Sequence, residues 1–276
     1  MTMHAIEVAG VQLYYPPEEA QTADIIAGAC VRSLEIIRER WRLNALAECR
    51  IYVMTSWREF LLHAAPWPWR IAMTITLPIW GPRAQALWTV AGGFHQAFGR
   101  RRAIGVKPPR LLAEADRTIG QRIFVRPEPR DLEREVRQVT CHELTHACTA
   151  HLKPPMWLNE GLAMVTVDHF NGAPTVRDDS LEILARGHAT GDSARYQDID
   201  ADDQEALLYH AVRGYWLTRF LDEQHPDTLQ SLLAGPHNRR EVSELLAEAV
   251  GCEDQRVWQE IDGIVVNHYA LGRPPF

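Results

Sequence analysis

The segment His142-Glu143-Leu144-Thr145-His146 sets two imidazoles four residues apart, with a carboxylate between them. On an α-helix, positions i and i+4 lie on one face, so both rings can reach a single ion. Glu143 projects beside them, where it can take a proton from water bound to that ion. The pattern carries this chemistry only if it falls on a helix, and the flanking residues predict one. Asp131 is a fitting N-cap, Glu133 and Glu135 suit the positive end of the helix dipole, and Lys153-Pro154-Pro155 stops the helix after His151.

A further ligand is offered by Pro155 to Ala163 (PMWLNEGLA), where Glu160 stands near the start of a second helix predicted from Trp157 to about His169. Thirteen residues separate His146 from Glu160, and the proline break lets the chain turn back. Two neutral imidazoles and one carboxylate leave the fourth position of a tetrahedral zinc ion open for water, the mark of a catalytic rather than a structural site. Zinc follows from ligand type; another divalent ion could take the same set.

HELTH followed by WLNEGLA resembles the gluzincin group of zinc metallopeptidases, whose third ligand is a glutamate in the WLNEGxA segment of aminopeptidase N-like enzymes. The likeness extends to small peptidase MA-like domains, through the opening strand and long helix, the strand-like RIYVM (Arg50 to Met54) and the segment GYWLTRFLDE (Gly214 to Glu223). The resemblance implies a zincin-like α+β fold, with a small mixed sheet packed on the HExxH helix and a helical C-terminal part. It also implies a Zn2+ cofactor on His142, His146 and Glu160, Glu143 as general base, and a peptide or protein substrate. The second oxyanion donor in this group comes from a downstream helix, where Tyr209 and His210 precede the GYWLTRFLDE segment and Tyr209 is the first choice.

The spacer to Glu160 is shorter than in the aminopeptidases and no GxMEN-type segment is present, which favours an endopeptidase or another amide hydrolase over an aminopeptidase. Other third ligands fit less well. A metzincin histidine would fall at Leu152 and its glycine at Thr149; His151 lies off the face of the pair; Asp168 sits two turns beyond Glu160. The alternative function is a non-catalytic, zinc-containing partner-binding or chaperone-like module, against which the intact Glu143 argues.

The elements that must position these groups are legible in outline. Glu7 to Tyr15 reads as a strand, Glu18 to about Leu43 as a helix, and Arg50 to Met54 as a strand followed by a short helix near Ser56. Ile71 to Leu77 and Arg122 to Val125 are strand candidates, with Gly99 to Arg110 as a basic loop between them. Helices fit Asp203–Glu223, Pro226–Leu233, Arg240–Val250 and Asp254–Tyr269. A single domain is expected, with residues 1–152 as an α/β part carrying HExxH and residues 153–276 as a helical part carrying Glu160.

Composition bounds the rest. With 46% apolar and 24% charged residues the chain has the balance of a globular protein, and a net charge of −7 argues against nucleic acid as its partner. Five scattered cysteines without a CxxC pair give no disulfide framework, and Met1 to Gly10 has no secretory pattern, so a cytoplasmic location is expected. No stretch reaches the roughly 20 apolar residues of a spanning helix, which leaves only surface contact with a membrane open. Trp67, Trp69, Trp80 and Trp88 are expected in the core, with a substrate- or lipid-facing wall as the alternative, and Trp157 is expected to pack under the site. Arg100, Arg101, Arg102, Lys107 and Arg110 read as a solvated loop, and Cys141 and Cys148 as small core residues. His63, His95, His169 and His188 have no spacing partners and are given no role.

Overall fold

A computed structural model describes residues 3–43, 48–114, 118–125, 129–187 and 204–271. Its architecture is α+β, and the chain divides into two units: Met1–Arg117 with Pro127–Cys148, and Thr118–Arg126 with Thr149–Phe276. The division falls just inside the end of the HExxH helix, and the short piece 118–126 belongs with the second unit. His188 and the expected helix start at Asp203 lie outside the described residues.

In the first unit, Ala9 and Gly10 take positive φ values of 51° and 82°. A two-residue turn of that kind matches the twist of a hairpin, so the expected single strand is in fact two, β1 (His4–Val8) and β2 (Val11–Tyr15), paired antiparallel. Helix α1 (Ala20–Trp41) returns the chain to β3 (Cys49–Val53), parallel to β2. After α2 (Trp57–Ala64) and α3 (Trp67–Val90), β4 (Gly93–Phe98) and β5 (Arg101–Val106) complete a five-stranded mixed sheet in the order β1-β2-β3-β5-β4. Then come α4 (Pro109–Glu114) and, after the excursion into the second unit, α6 (Leu132–Thr149).

Two sequence expectations change here. Ile71 to Leu77 is helical, not a strand: the β-branched Thr74 and Thr76 turn their hydroxyls onto the carbonyls of Arg70 and Ala72 at 2.8 and 2.9 Å, which satisfies them within a helix. Met73 and Trp88 pack one side of α3 against Tyr52, Phe60 and Phe98. Trp67 and Trp69, expected in the core, are exposed, as are Ile71, Ile75 and Ile79. No helix among the described residues is long and apolar enough to cross a membrane.

The basic segment 99–110 is likewise not a solvated loop. It holds β5, which lies between β3 and β4 in the sheet, and Ala103, Ile104 and Val106 are fully buried. Arg102 turns its guanidinium onto the carbonyls of Gly99 and Arg101. Lys107 is buried; its ammonium donates to the Trp88 carbonyl and sits 4.3 Å over the Trp88 ring. Burial pushes its pKa down to about 8.

The second unit opens with α5 (Thr118–Ile123), where Arg122 to Val125 makes only an isolated bridge, Phe124 to Val176, in place of the expected strand. It continues with α7 (Met156–Asn171), α8 (Leu181–Arg186), α9 (Gln204–Gln224), α10 (Pro226–Leu233), α11 (Arg239–Val250) and α12 (Val257–Leu271). The described residues of this part are mainly helical. Its centre is the α7–α9 contact, made through two glycines. A Cβ on Gly161 would stand 2.0 Å from the Gly214 carbonyl oxygen and 2.1 Å from the Thr218 hydroxyl; one on Gly214 would stand 2.6 Å from the Trp157 carbonyl oxygen. Only residues without side chains let these backbones approach so closely.

Candidate metal centre

Helix α6 starts as its sequence implies, with Asp131 Oδ1 accepting from the Arg134 amide at 2.9 Å. Glu133 and Glu135 occupy the first turn, paired with Arg137 and Arg130 respectively. Val136, Leu144, Ala147 and Cys148 give it a buried apolar side. Thr140 and Thr145, both buried, bond back to the carbonyls of Val136 and Cys141.

Sheet pairing tells which face α6 covers. Leu13, Ile51 and Ile104 share one transverse row, and His95 of β4 ends it. Gly93 points to the same face as His95, because strand residues alternate with period two. A Cβ on Gly93 would meet Val139 at 2.6 Å and Glu143 Cγ at 2.7 Å, both on α6. The end of β4 therefore lies directly against the turn that carries the carboxylate.

On that helix His142 and His146 turn toward one another. Their Nε2 atoms are 3.0 Å apart and their rings meet edge to face with centroids at 4.6 Å. Two nitrogens at about 2.0–2.1 Å from a tetrahedral ion would sit roughly 3.3 Å apart, so the pair fits a shared zinc with little adjustment. Glu143 is buried, 7% exposed, beside them. The structure thus brings together the three α6 residues expected at the site.

Glu160 belongs to the second unit. It is half-buried in the first turns of α7, immediately before Gly161, so the close helix contact fixes its backbone. The preceding Asn159 accepts from the Thr149 hydroxyl at 3.2 Å, tying the start of α7 to the last residue of α6. Trp157 is buried, with its ring 6.2 Å from that of Trp258.

Tyr209 is buried on α9, and its hydroxyl donates to Asp262, whose other oxygen receives Arg213 Nε at 2.7 Å. A phenol has one proton to give, and here Asp262 takes it. His210 is buried next to it. Asp168 accepts from the Thr175 amide and hydroxyl and from the Tyr215 hydroxyl at 2.6–2.7 Å, a knot that fastens the end of α7. Burial pushes its pKa up. His151 is exposed, and His169 pairs with Asp222 at 3.1 Å.

One residue escaped sequence reasoning. His95 occupies the sheet face under α6, and burial, with His146 and Arg102 nearby, pushes its pKa down to about 3. Its Nε2 is buried and has no hydrogen-bond partner among the described residues. No spacing rule could reveal it, because strand pairing, not helical periodicity, brings it there. The cysteines are all unpaired, and Cys30, Cys49, Cys141 and Cys148 are buried. Comparison with known proteins adds nothing to this geometry: no family model matches the chain, and no curated protein does.

Proposed function

We propose that the protein is a zinc-dependent peptidase of gluzincin type with a zincin-like fold, its metal held by His142, His146 and Glu160. The observation that carries the reading is the convergence of two imidazole nitrogens, 3.0 Å apart, beside the buried carboxylate of Glu143 on one helix. Two neutral nitrogens facing each other at that distance need a proton or a cation between them, and the donor set suits zinc. A zinc ion bound there would lower the pKa of water and polarise a carbonyl.

The residues then divide the work. Glu143 removes a proton from the attacking water as its oxygen adds to the amide carbon, and returns it to the nitrogen as the C–N bond breaks. Gly93 gives Glu143 its place, since any side chain there would push the carboxylate aside. Strand β4 ends the sheet beside that carboxylate. An extended peptide added alongside β4 would carry its amide bonds past Glu143, which favours a peptide over a small amide as substrate. The Tyr209 proton is committed to Asp262, so we assign this tyrosine to packing rather than to the oxyanion.

The test is hydrolysis of a mixed peptide library by the zinc-loaded protein, read by mass spectrometry beside Glu143→Gln. Cleavage abolished in the variant with metal retained supports the peptidase. Equal cleavage by both proteins, or none by either, removes it and leaves the non-catalytic zinc module.

A further inference from the structure

The face of the sheet beneath α6 is apolar along the row Leu13, Ile51, Ile104, each at most 1% exposed, and then ends in an imidazole. An aliphatic side chain at position 95 would complete the row. The imidazole instead buries a polar nitrogen with nothing among the described residues to bond it, an expensive arrangement unless a ligand supplies the partner. Register sets the sheet face on which the ring lies. His95 follows Gly93 by two residues, about 7 Å along the strand and on the same face, and Gly93 already abuts Glu143. His146 stands one helical turn beyond Glu143 on α6. Among the described residues, His146 and Arg102 act on the ring electrostatically, and the Arg102 guanidinium is bonded to the Gly99 and Arg101 carbonyls.

We propose that His95 is a catalytic residue that donates a hydrogen bond from Nε2 to the substrate oxygen on which negative charge accumulates during amide hydrolysis. The proposal rests on the metal-site reading above. It gives to a strand residue the task that sequence likeness assigned to a helix tyrosine. The ligand class recognised is a tetrahedral oxyanion next to the ion, for which inorganic phosphate is a sufficient mimic. No proton is transferred from His95: the ring bonds the oxygen as charge develops and releases it when the carbonyl re-forms.

The test does not depend on finding a substrate. The full chain is loaded with Co2+ in place of zinc, and phosphate is titrated while the visible spectrum of the metal is followed, for wild type, His95→Leu and His95→Gln. A lost hydrogen bond to an anionic oxygen predicts about tenfold to a hundredfold weaker phosphate binding in H95L. Partial recovery is expected in H95Q, which keeps a donor, with Co2+ content equal to wild type and a melting temperature no lower in H95L. Unchanged phosphate affinity in H95L would overturn the role. Loss of Co2+ in H95L would overturn it in favour of direct ligation. Failure of the wild type itself to bind Co2+ would instead sink the metal-site reading, and the role of His95 with it.

Discussion

Replacing Gly161 by alanine tests how Glu160 is held in place. The added carbon would stand 2.0 Å from the Gly214 carbonyl oxygen and 2.1 Å from the Thr218 hydroxyl. An ordinary carbon–oxygen contact is about 3.3 Å, so α7 and α9 must part by roughly an ångström. The obstacle at Gly214 is backbone, which cannot rotate away. Overpacking of this kind costs about 1–3 kcal/mol and sometimes more; with rigid backbone opposite, about 3 kcal/mol is expected. For a chain of this size that is a fall of about 6–12 °C in melting temperature. Because the next residue back is Glu160, zinc affinity should fall in step, a ligand shift beyond about 0.2 Å being enough to weaken a site. The controls are Gly28→Ala in α1 and Gly263→Ala in α12, where a new Cβ meets nothing within 4 Å. Those should stabilise by about 0.5–1 kcal/mol through helix propensity alone. Circular dichroism melts and competition with a chromogenic zinc chelator read both effects. Should G161A melt with the wild type while G28A and G263A behave as expected, the close α7–α9 contact would be refuted.

Other perturbations separate the remaining assignments. Glu143→Gln should keep full zinc content and lose about a hundredfold or more in peptide hydrolysis, as removal of a general base does; single-turnover assays on the zinc-loaded protein would check it. Tyr209→Phe takes a hydrogen bond from the Asp262 carboxylate and should cost about 1.5–3 kcal/mol in urea unfolding, with turnover per bound zinc unchanged; a selective fall in turnover would restore a catalytic role. Burial pushes the thiols of Cys30, Cys49, Cys141 and Cys148 up to about 12 from an ordinary value of 9.0. Their folded pKa values lie above the unfolded ones, so this contribution is intact below pH 9 and is lost as pH rises toward 12. Urea midpoints should therefore decline above pH 9. Ellman's reagent at pH 8 should find one fast-reacting thiol, Cys252, in the folded protein and five after unfolding; several fast thiols in the native state would contradict the buried assignments.

The parts of this molecule visible in its sequence are those governed by local periodicity. HELTH lies on a helix because Asp131 caps it and its apolar residues recur at helical spacing, and α1, α7 and α9 were legible for the same reason. Composition misled where tertiary context decides. Ile71, Thr74, Ile75 and Thr76 carry strand propensity, yet the threonines satisfy themselves within a helix that Met73 and Trp88 anchor to the core. Arg101, Arg102 and Lys107 suggested a loop, but the alternate residues Ala103, Gly105, Ile104 and Val106 fill both faces of a central strand. The place of His95 was invisible for a deeper reason. It depends on pairing β4 with β5 and on which face of that pair α6 covers, and neither is written in the residues around position 95. Glu160 was legible as a residue type beside a proline break; the glycine contact behind it was not, because Gly214 lies 53 positions from Gly161.

His142, His146 and Glu160 are proposed to hold one ion. This is tested most directly by the metal content of the purified protein, measured by plasma mass spectrometry after dialysis against trace zinc, beside His146→Ala and Glu160→Gln. About one zinc per chain is expected in the wild type, with a large loss in both variants. A wild type that binds no metal even when zinc is supplied, or an E160Q protein that keeps zinc with undiminished affinity, would contradict it.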